Sequence, residues 1–132
     1  MTYKQNLHTH TTYVCRNGTL EEIICKAINK EFNSIGFFEH SYLKYSLLSN
    51  RITVSKMLSY QEEIRSLKQK YVNVTDVFCG LEYDFYSDIV ENVLDYTIGS
   101  VHYFCKDDEL LIEAEFPSKW IFKYDDVKEV RI

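Results

Sequence analysis

Proline occurs once in this chain and glycine four times, which leaves no Pro/Gly-rich linker, collagen-like repeat or low-complexity tract to consider. No apolar run approaches the ~20 residues that cross a bilayer, and residues 1–6 lack the apolar core of a signal peptide. The expectation is a cytoplasmic chain with no membrane partner. Cys15, Cys25, Cys79 and Cys105 form no Cys-x-x-Cys pair and no regular disulfide framework, so reduced thiols are expected. Three of them, Cys25, Cys79 and Cys105, stand beside Phe or Ile and read as small buried hydrophobes. Positive charge is also scarce: 15 Lys and Arg face 20 Asp and Glu, a formal net charge of -5. That balance disfavours nonspecific nucleic-acid binding, which rests on Lys and Arg contacts to phosphates. A small phosphorylated substrate stays compatible, because a bound metal ion reverses the local sign of charge.

What the chain does have is apolar and aromatic mass: 45% hydrophobic residues, with eleven Tyr, eight Phe and one Trp in 132 residues. That suits one ordered domain over residues 1–132. Residues 3–8 read as a strand, followed by a loop with an Asn17-Gly18 turn. Thr19 and Glu22 then form a capping box, and Leu20, Ile23, Ile24, Ala27 and Ile28 recur at helical spacing to about Phe32. Residues 34–40 are almost continuously apolar, as in strands buried on both faces of a parallel sheet. Residues 42–53 read as loop. Residues 55–71 form a helix whose expected inner stripe is Leu58, Ile64, Leu67 and Tyr71. Strands are expected near 74–83 and over 96–102, with a short helix or turn at 88–94 between them. Further on come a turn at 106–109, an apolar Leu110-Leu111-Ile112, and a possible helix over 115–124 with Pro117 in its first turn. Alternating strands and helices of this kind build an α/β fold with a mainly parallel sheet or barrel.

The four strands share one property. Each ends in a potential metal ligand: His8 and His10 on the first, His40 on the second, Glu82 on the third and His102 on the fourth. In His8-Thr9-His10 the two imidazoles share a face if the chain is extended, since strand side chains alternate. Parallel α/β folds collect their sites at the carboxyl ends of strands, so positions more than ninety residues apart can meet. The chain contains only four histidines, and all stand at such ends. Any one of them alone reads as an ordinary histidine; the set of four with Glu82 reads as a site for divalent ions, with neutral imidazole and carboxylate as donors.

These motifs, His8-Thr9-His10-Thr11-Thr12-Tyr13, Gly36-Phe37-Phe38-Glu39-His40-Ser41, Gly80-Leu81-Glu82-Tyr83-Asp84-Phe85 and Ile98-Gly99-Ser100-Val101-His102-Tyr103, resemble in order and spacing those of the PHP (polymerase and histidinol phosphatase) family, histidinol-phosphatase type. The resemblance implies a distorted (β/α)7 barrel and up to three divalent ions such as zinc, manganese or iron. It also implies hydrolysis of L-histidinol phosphate, a step of histidine biosynthesis. Carried over by position, His8 and His10 share a first ion with a catalytic, bridging Glu82, His102 joins Glu82 on a second, and His40 serves a third. A carboxylate holding two cations close makes a water between them ionise near neutral pH.

Two departures stand out. The family carries Asp or His where this chain has Cys15, a softer donor that would favour zinc, and Asp where it has Glu39. Arg16, in the same loop, is a candidate for the substrate phosphate, because a guanidinium matches phosphate oxygens bidentately. A complete barrel needs roughly 200 residues or more, and the later His and final Asp-x-His of the family have no counterpart after His102. The expectation is therefore the N-terminal part of such a barrel, slow or inactive by itself. Its open sheet edge calls for a homo-oligomer or a complementing second half. The alternatives are a non-catalytic metal-binding half-barrel or interaction module, and a PHP phosphoesterase with another substrate.

Overall fold

A computed structural model of the chain describes residues 2–14, 18–42, 51–85, 87 and 94–101, together with the backbone of 103–106 and 109–113. Four strands, β1 (Gln5–Thr9), β2 (Ser34–His40), β3 (Asp76–Asp84) and β4 (Tyr96–Ser100), form a parallel sheet in the order β1-β2-β3-β4. Helix α1 (Leu20–Asn29) lies between β1 and β2 in sequence, and α2 (Val54–Lys70) between β2 and β3. Strand order that follows chain order without reversal, with the helices on one face, is barrel winding; a doubly wound sheet would reverse and be covered on both faces. The molecule is a half-barrel of four strands. A separate antiparallel pair, β5 (Tyr103–Lys106) with β6 (Glu109–Glu113), follows it. The sequence reading took 106–109 as a turn and did not anticipate this ribbon. Its expected short helix or turn at 88–94, apart from residue 94, and its expected helix over 115–124 lie outside the described residues.

The core explains the geometry. Leu20, Ile24 and Ala27 of α1 and Met57, Tyr60, Ile64 and Leu67 of α2 pack on Ile35 and Phe37 of β2 and Val77, Cys79 and Leu81 of β3. All five strand residues are odd-numbered, so one pleat face belongs to the helices and the even-numbered residues face the barrel interior. The bounds of β2 match the sequence reading, and the capping box at Thr19 and Glu22 forms as expected. Three details differ. Helix α1 stops before Phe32 because Glu31 takes a left-handed conformation (φ 59°), letting Phe32 N–H reach Ala27 O and Glu31 N–H reach Ile28 O, a Schellman ending. Leu58 is 68% exposed; with Ile64 and Leu67 inside, the 3.6-residue period brings Met57, Tyr60 and Gln61 inward and turns Leu58 to water. Cys25 is exposed beside the Tyr71 hydroxyl rather than buried. Cys79 is buried as expected, and burial, with the Asp95 carboxylate near it, pushes its thiol up to about 12.

On the interior face, β2 and β3 carry glycines where β4 carries Tyr96. The Tyr96 ring lies across Gly80, where an added Cβ would come within 2.4 Å of the ring, and its hydroxyl reaches over Gly36. That hydroxyl shares its proton between Leu7 O at 2.6 Å and Phe37 O at 3.0 Å. One side chain from the fourth strand thus ties down the first and second. Burial raises the phenol well above its usual value and keeps it a donor.

Gly80→Ala should therefore destabilise the fold by roughly 1–3 kcal/mol through overpacking against a pinned ring, and Tyr96→Phe by about 1 kcal/mol through the lost hydrogen bond; urea unfolding of the two variants measures both. A second expectation concerns acid. Asp95 accepts the Cys79 N–H at 2.8 Å and the Lys68 ammonium at 2.9 Å. Burial raises its carboxyl, but these two donors more than offset that and hold it below the ordinary value. A depressed folded-state pKa contributes stability that is fully present above the unfolded value, about 3.9, and is lost as pH falls through the folded one. Unfolding measured from pH 6 down to pH 2 should show a shallower loss for Asp95→Asn than for the parent chain.

Candidate metal centre

The site begins with an irregularity in β1. Asn6 pairs with Ile35 and Thr9 with Phe37, so the register slips between them. Three steps along β1 oppose two along β2, which places both Leu7 and His8 on the interior side. Leu7 lies against Gly36, and the His8 ring stands 4.1 Å from the buried Phe38 ring. Alternation then resumes, and His10 also faces inward, 4.8 Å from Phe38. A bulge at a strand end re-aims side chains in this way.

On β2 and β3 no irregularity intervenes. His40 pairs in register with Glu82, and both are interior by parity. The His40 and His10 rings stack at 4.6 Å with 21° between their planes. His40 Nδ1 stands 3.0 Å from Glu82 Oε2, and His10 Nε2 stands 4.0 Å from the same oxygen. One donor atom from each of His10, His40 and Glu82 lies within 4.8 Å of the other two. Ligands bonded to one ion at about 2.1 Å are roughly 3–3.6 Å apart, so a small inward adjustment would close the three on an ion. The donors fit such an ion chemically: two imidazoles and a carboxylate suit zinc, manganese or iron, and His10 Nδ1 and the Glu39 Oε2 beside it are buried without a hydrogen bond.

His8 sits next to this group, its ring 5.5 Å from that of His10, but is exposed and outside the three. His40, which the resemblance assigns to a third ion, stands beside Glu82 itself. Cys15, Arg16 and His102 lie outside the described residues.

Two features go beyond the sequence reading. The first is the setting of Glu39, noted there only as standing where the family has Asp: it is fully buried and bonded to Thr11. The second is a clasp behind His40 and Glu82. Arg51 Nη1 donates to Ser41 O at 3.2 Å, and its Nη2 lies 3.8 Å from the buried Asp84 carboxylate. Asp84 N–H donates to Ser41 Oγ, which also bonds Ser87 Oγ. Ser41 N–H donates to Glu82 O, and Ile52 N–H to His40 O. These contacts fix the chain where it leaves His40 against the strand that carries Glu82. A lone Arg in an irregular segment gives no sequence signal for this; only the position of Asp84, two residues after Glu82 and so on the same face, hints at it.

With this geometry in view, comparison with known proteins is decisive. The PHP domain family model matches residues 6–130. The chain belongs to the PHP family. It is 29% identical over 127 residues to the histidinol-phosphatase of Bacillus subtilis, covering 82% of this chain and 47% of that protein. It is 28% identical over 115 residues to a Schizosaccharomyces pombe protein named as a histidinol-phosphatase, covering 73% of this chain and 38% of the other. Among solved structures, a Listeria monocytogenes protein titled a histidinol phosphatase, hisK, superposes with a TM-score of 0.66 at 19% identity, covering 83% of this chain and 48% of that one. That likeness shows the fold: the half-barrel is part of a PHP-type α/β barrel. The chain spans about half the length, or less, of these relatives.

Asp84→Ala removes the carboxylate partner of a buried guanidinium. The PHP half-barrel should lose about 3 kcal/mol or more of stability, the usual cost of breaking a buried pair from one side, as read by thermal or urea unfolding.

Proposed function

We propose that this PHP chain is a metal-dependent phosphomonoester hydrolase of the histidinol-phosphatase type, with His10, His40 and Glu82 holding a divalent ion. The supporting observation is the convergence of those three donors at adjoining strand ends in a chain matched by the PHP model over nearly its full length. When bound, the ion supplies positive charge for phosphoryl oxygens and acidifies water toward neutral pH. His10 and His40 offer stacked imidazole donors. Glu82 adds the negative charge, its Oε2 within 3.0 Å of His40 Nδ1 and 4.0 Å of His10 Nε2, and it is the carboxylate that would be shared with a second ion. Phe38 backs His8 and His10 and keeps water from that side of the rings, which strengthens every charge interaction at the centre. His8, His102 and Cys15 are further ligand candidates and Arg16 the candidate for the phosphate. L-histidinol phosphate is the proposed substrate, from the names of the two curated relatives.

A second reading, a metal-binding domain without turnover, has one observation in its favour. Among the described residues three donors converge, enough for one ion and too few for two.

One preparation tests both. The purified chain, stripped of loose ions and supplied with zinc, manganese or iron, should retain metal by elemental analysis and release phosphate from L-histidinol phosphate at a slow rate. Glu82→Gln should abolish the release, and His10→Ala/His40→Ala should abolish the retained metal. At a free-ion concentration a hundred times the Kd, binding should add about 2.7 kcal/mol of stability. Metal content unchanged in the double variant removes the site. Retained metal with no phosphate release selects the second reading.

A further inference from the structure

Glu39 is a carboxylate with no solvent exposure, on the residue immediately before His40 and, by strand parity, on the helix side of β2. Its Oε1 accepts both the backbone N–H of Thr11, at 2.7 Å, and the Thr11 hydroxyl. Thr11 is itself fully buried, and its hydroxyl oxygen accepts the Tyr13 N–H, so it cannot turn away. The other oxygen, Oε2, is buried with no hydrogen bond and lies 3.5 Å from His10 Nδ1, which is likewise buried and unbonded. A buried carboxylate is costly unless its lone pairs are met, and Thr11 meets only one side. Across the same imidazole, His10 Nε2 lies 4.0 Å from Glu82 Oε2. The ring therefore stands between two carboxylates that have different tasks.

We infer that Glu39 is a positioning residue for His10. Its Oε2 accepts a hydrogen bond from the His10 Nδ1–H, fixes that tautomer, and leaves the Nε2 lone pair turned toward Glu82 and His40. A ring nitrogen that ligates a metal is oriented in this way by what its other nitrogen donates to. The inference rests on the metal-site reading above for its purpose, but the tautomer can be measured without any ion.

The substitution that discriminates is Glu39→Gln. The Thr11 N–H can only donate, so it holds the amide oxygen in the Oε1 position and leaves the amide N–H2 where Oε2 was. An N–H2 facing His10 Nδ1 requires Nδ1 to accept, which moves the ring proton to Nε2 and covers the ligating lone pair. Nitrogen-15 NMR of the histidine rings in the ion-free chain should show His10 protonated on Nδ1 in the parent and on Nε2 in Glu39→Gln. Titration with cobalt(II), followed by its visible absorption, should show affinity about 10- to 100-fold weaker in Glu39→Gln. In a His10→Ala background the same substitution should cost nothing further. Far-UV circular dichroism and melting identify a variant that has not folded, and the parent spectrum alone still decides the tautomer. His10 protonated on Nε2 in the parent overturns the inference, as does an unchanged cobalt affinity in a folded Glu39→Gln chain. A parent that shows the Nδ1–H tautomer but takes up no cobalt overturns the metal-site reading and leaves the Glu39–His10 bond established.

Discussion

The pleat of β2 and β3 is the constraint from which the site follows. Helices α1 and α2 cover one face of β2 and β3, and Ile35, Phe37, Val77, Cys79 and Leu81 are committed to them. His40 and Glu82 lie on the opposite face of the same strands, in register. A slip of one residue in either strand would bury that strand's candidate ligand under the helices and expose its apolar set. The apolar face thus enforces the register, and the register delivers the ligands. The clasp of Arg51, Ser41 and Asp84 adds a second lock at the strand ends. There the chain has left the ladder and helix packing no longer controls it.

The interior face has its own filling problem, since Gly36 of β2 and Gly80 of β3 bring no side chain to it. Tyr96 solves part of this by lying flat over Gly80 and anchoring on the carbonyls of Leu7 and Phe37. Two glycines and one tyrosine on three strands are a matched set: a side chain at either glycine would lift the ring and release β1. Because β1 carries His8 and leads directly into His10, a packing contact below the site bears on its geometry. The bulge between Asn6 and Thr9 belongs to the same arrangement, since it lets Leu7 face Gly36 while His8 still faces Phe38.

Local signals in the sequence were enough for the elements. Thr19 with Glu22 and the apolar run of β2 each carry their meaning within a few residues, and each appears as expected. The failures are all of longer range. Leu58 looked like core because it is apolar, but the phase of α2 is set by Ile64 and Leu67 against β3. Cys25 looked buried because of its neighbours, although its helix face points to Tyr71. The end of α1 depended on a left-handed Glu31, which propensity does not favour. Tyr96, Glu39 and Arg51 act on residues 89, 28 and 10 positions away, and a single sequence holds no record of such pairings. The strand-end ligands were legible for the opposite reason: the rule that gathers them belongs to the fold class rather than to any one pair.

Charge gives the arrangement its last step. The chain as a whole carries a formal net charge of -5, and at the centre of the site two carboxylates, Glu39 and Glu82, flank a single imidazole. A phosphate dianion approaching such a surface is repelled, and no cluster of lysine or arginine among the described residues of the site offsets that. In the proposed reading one divalent ion reverses the local field, and the same carboxylates that would repel the substrate then hold the charge that attracts it. Glu82 acts on the ion directly and Glu39 through the far nitrogen of His10. Metal loading and phosphate recognition become a single event, so a chain folded correctly but free of metal should have no affinity for its substrate. An acidic protein can in this way serve an anionic ligand without a basic pocket, and the shortage of lysine and arginine that disfavours nonspecific nucleic-acid binding is no obstacle to a small phosphoester.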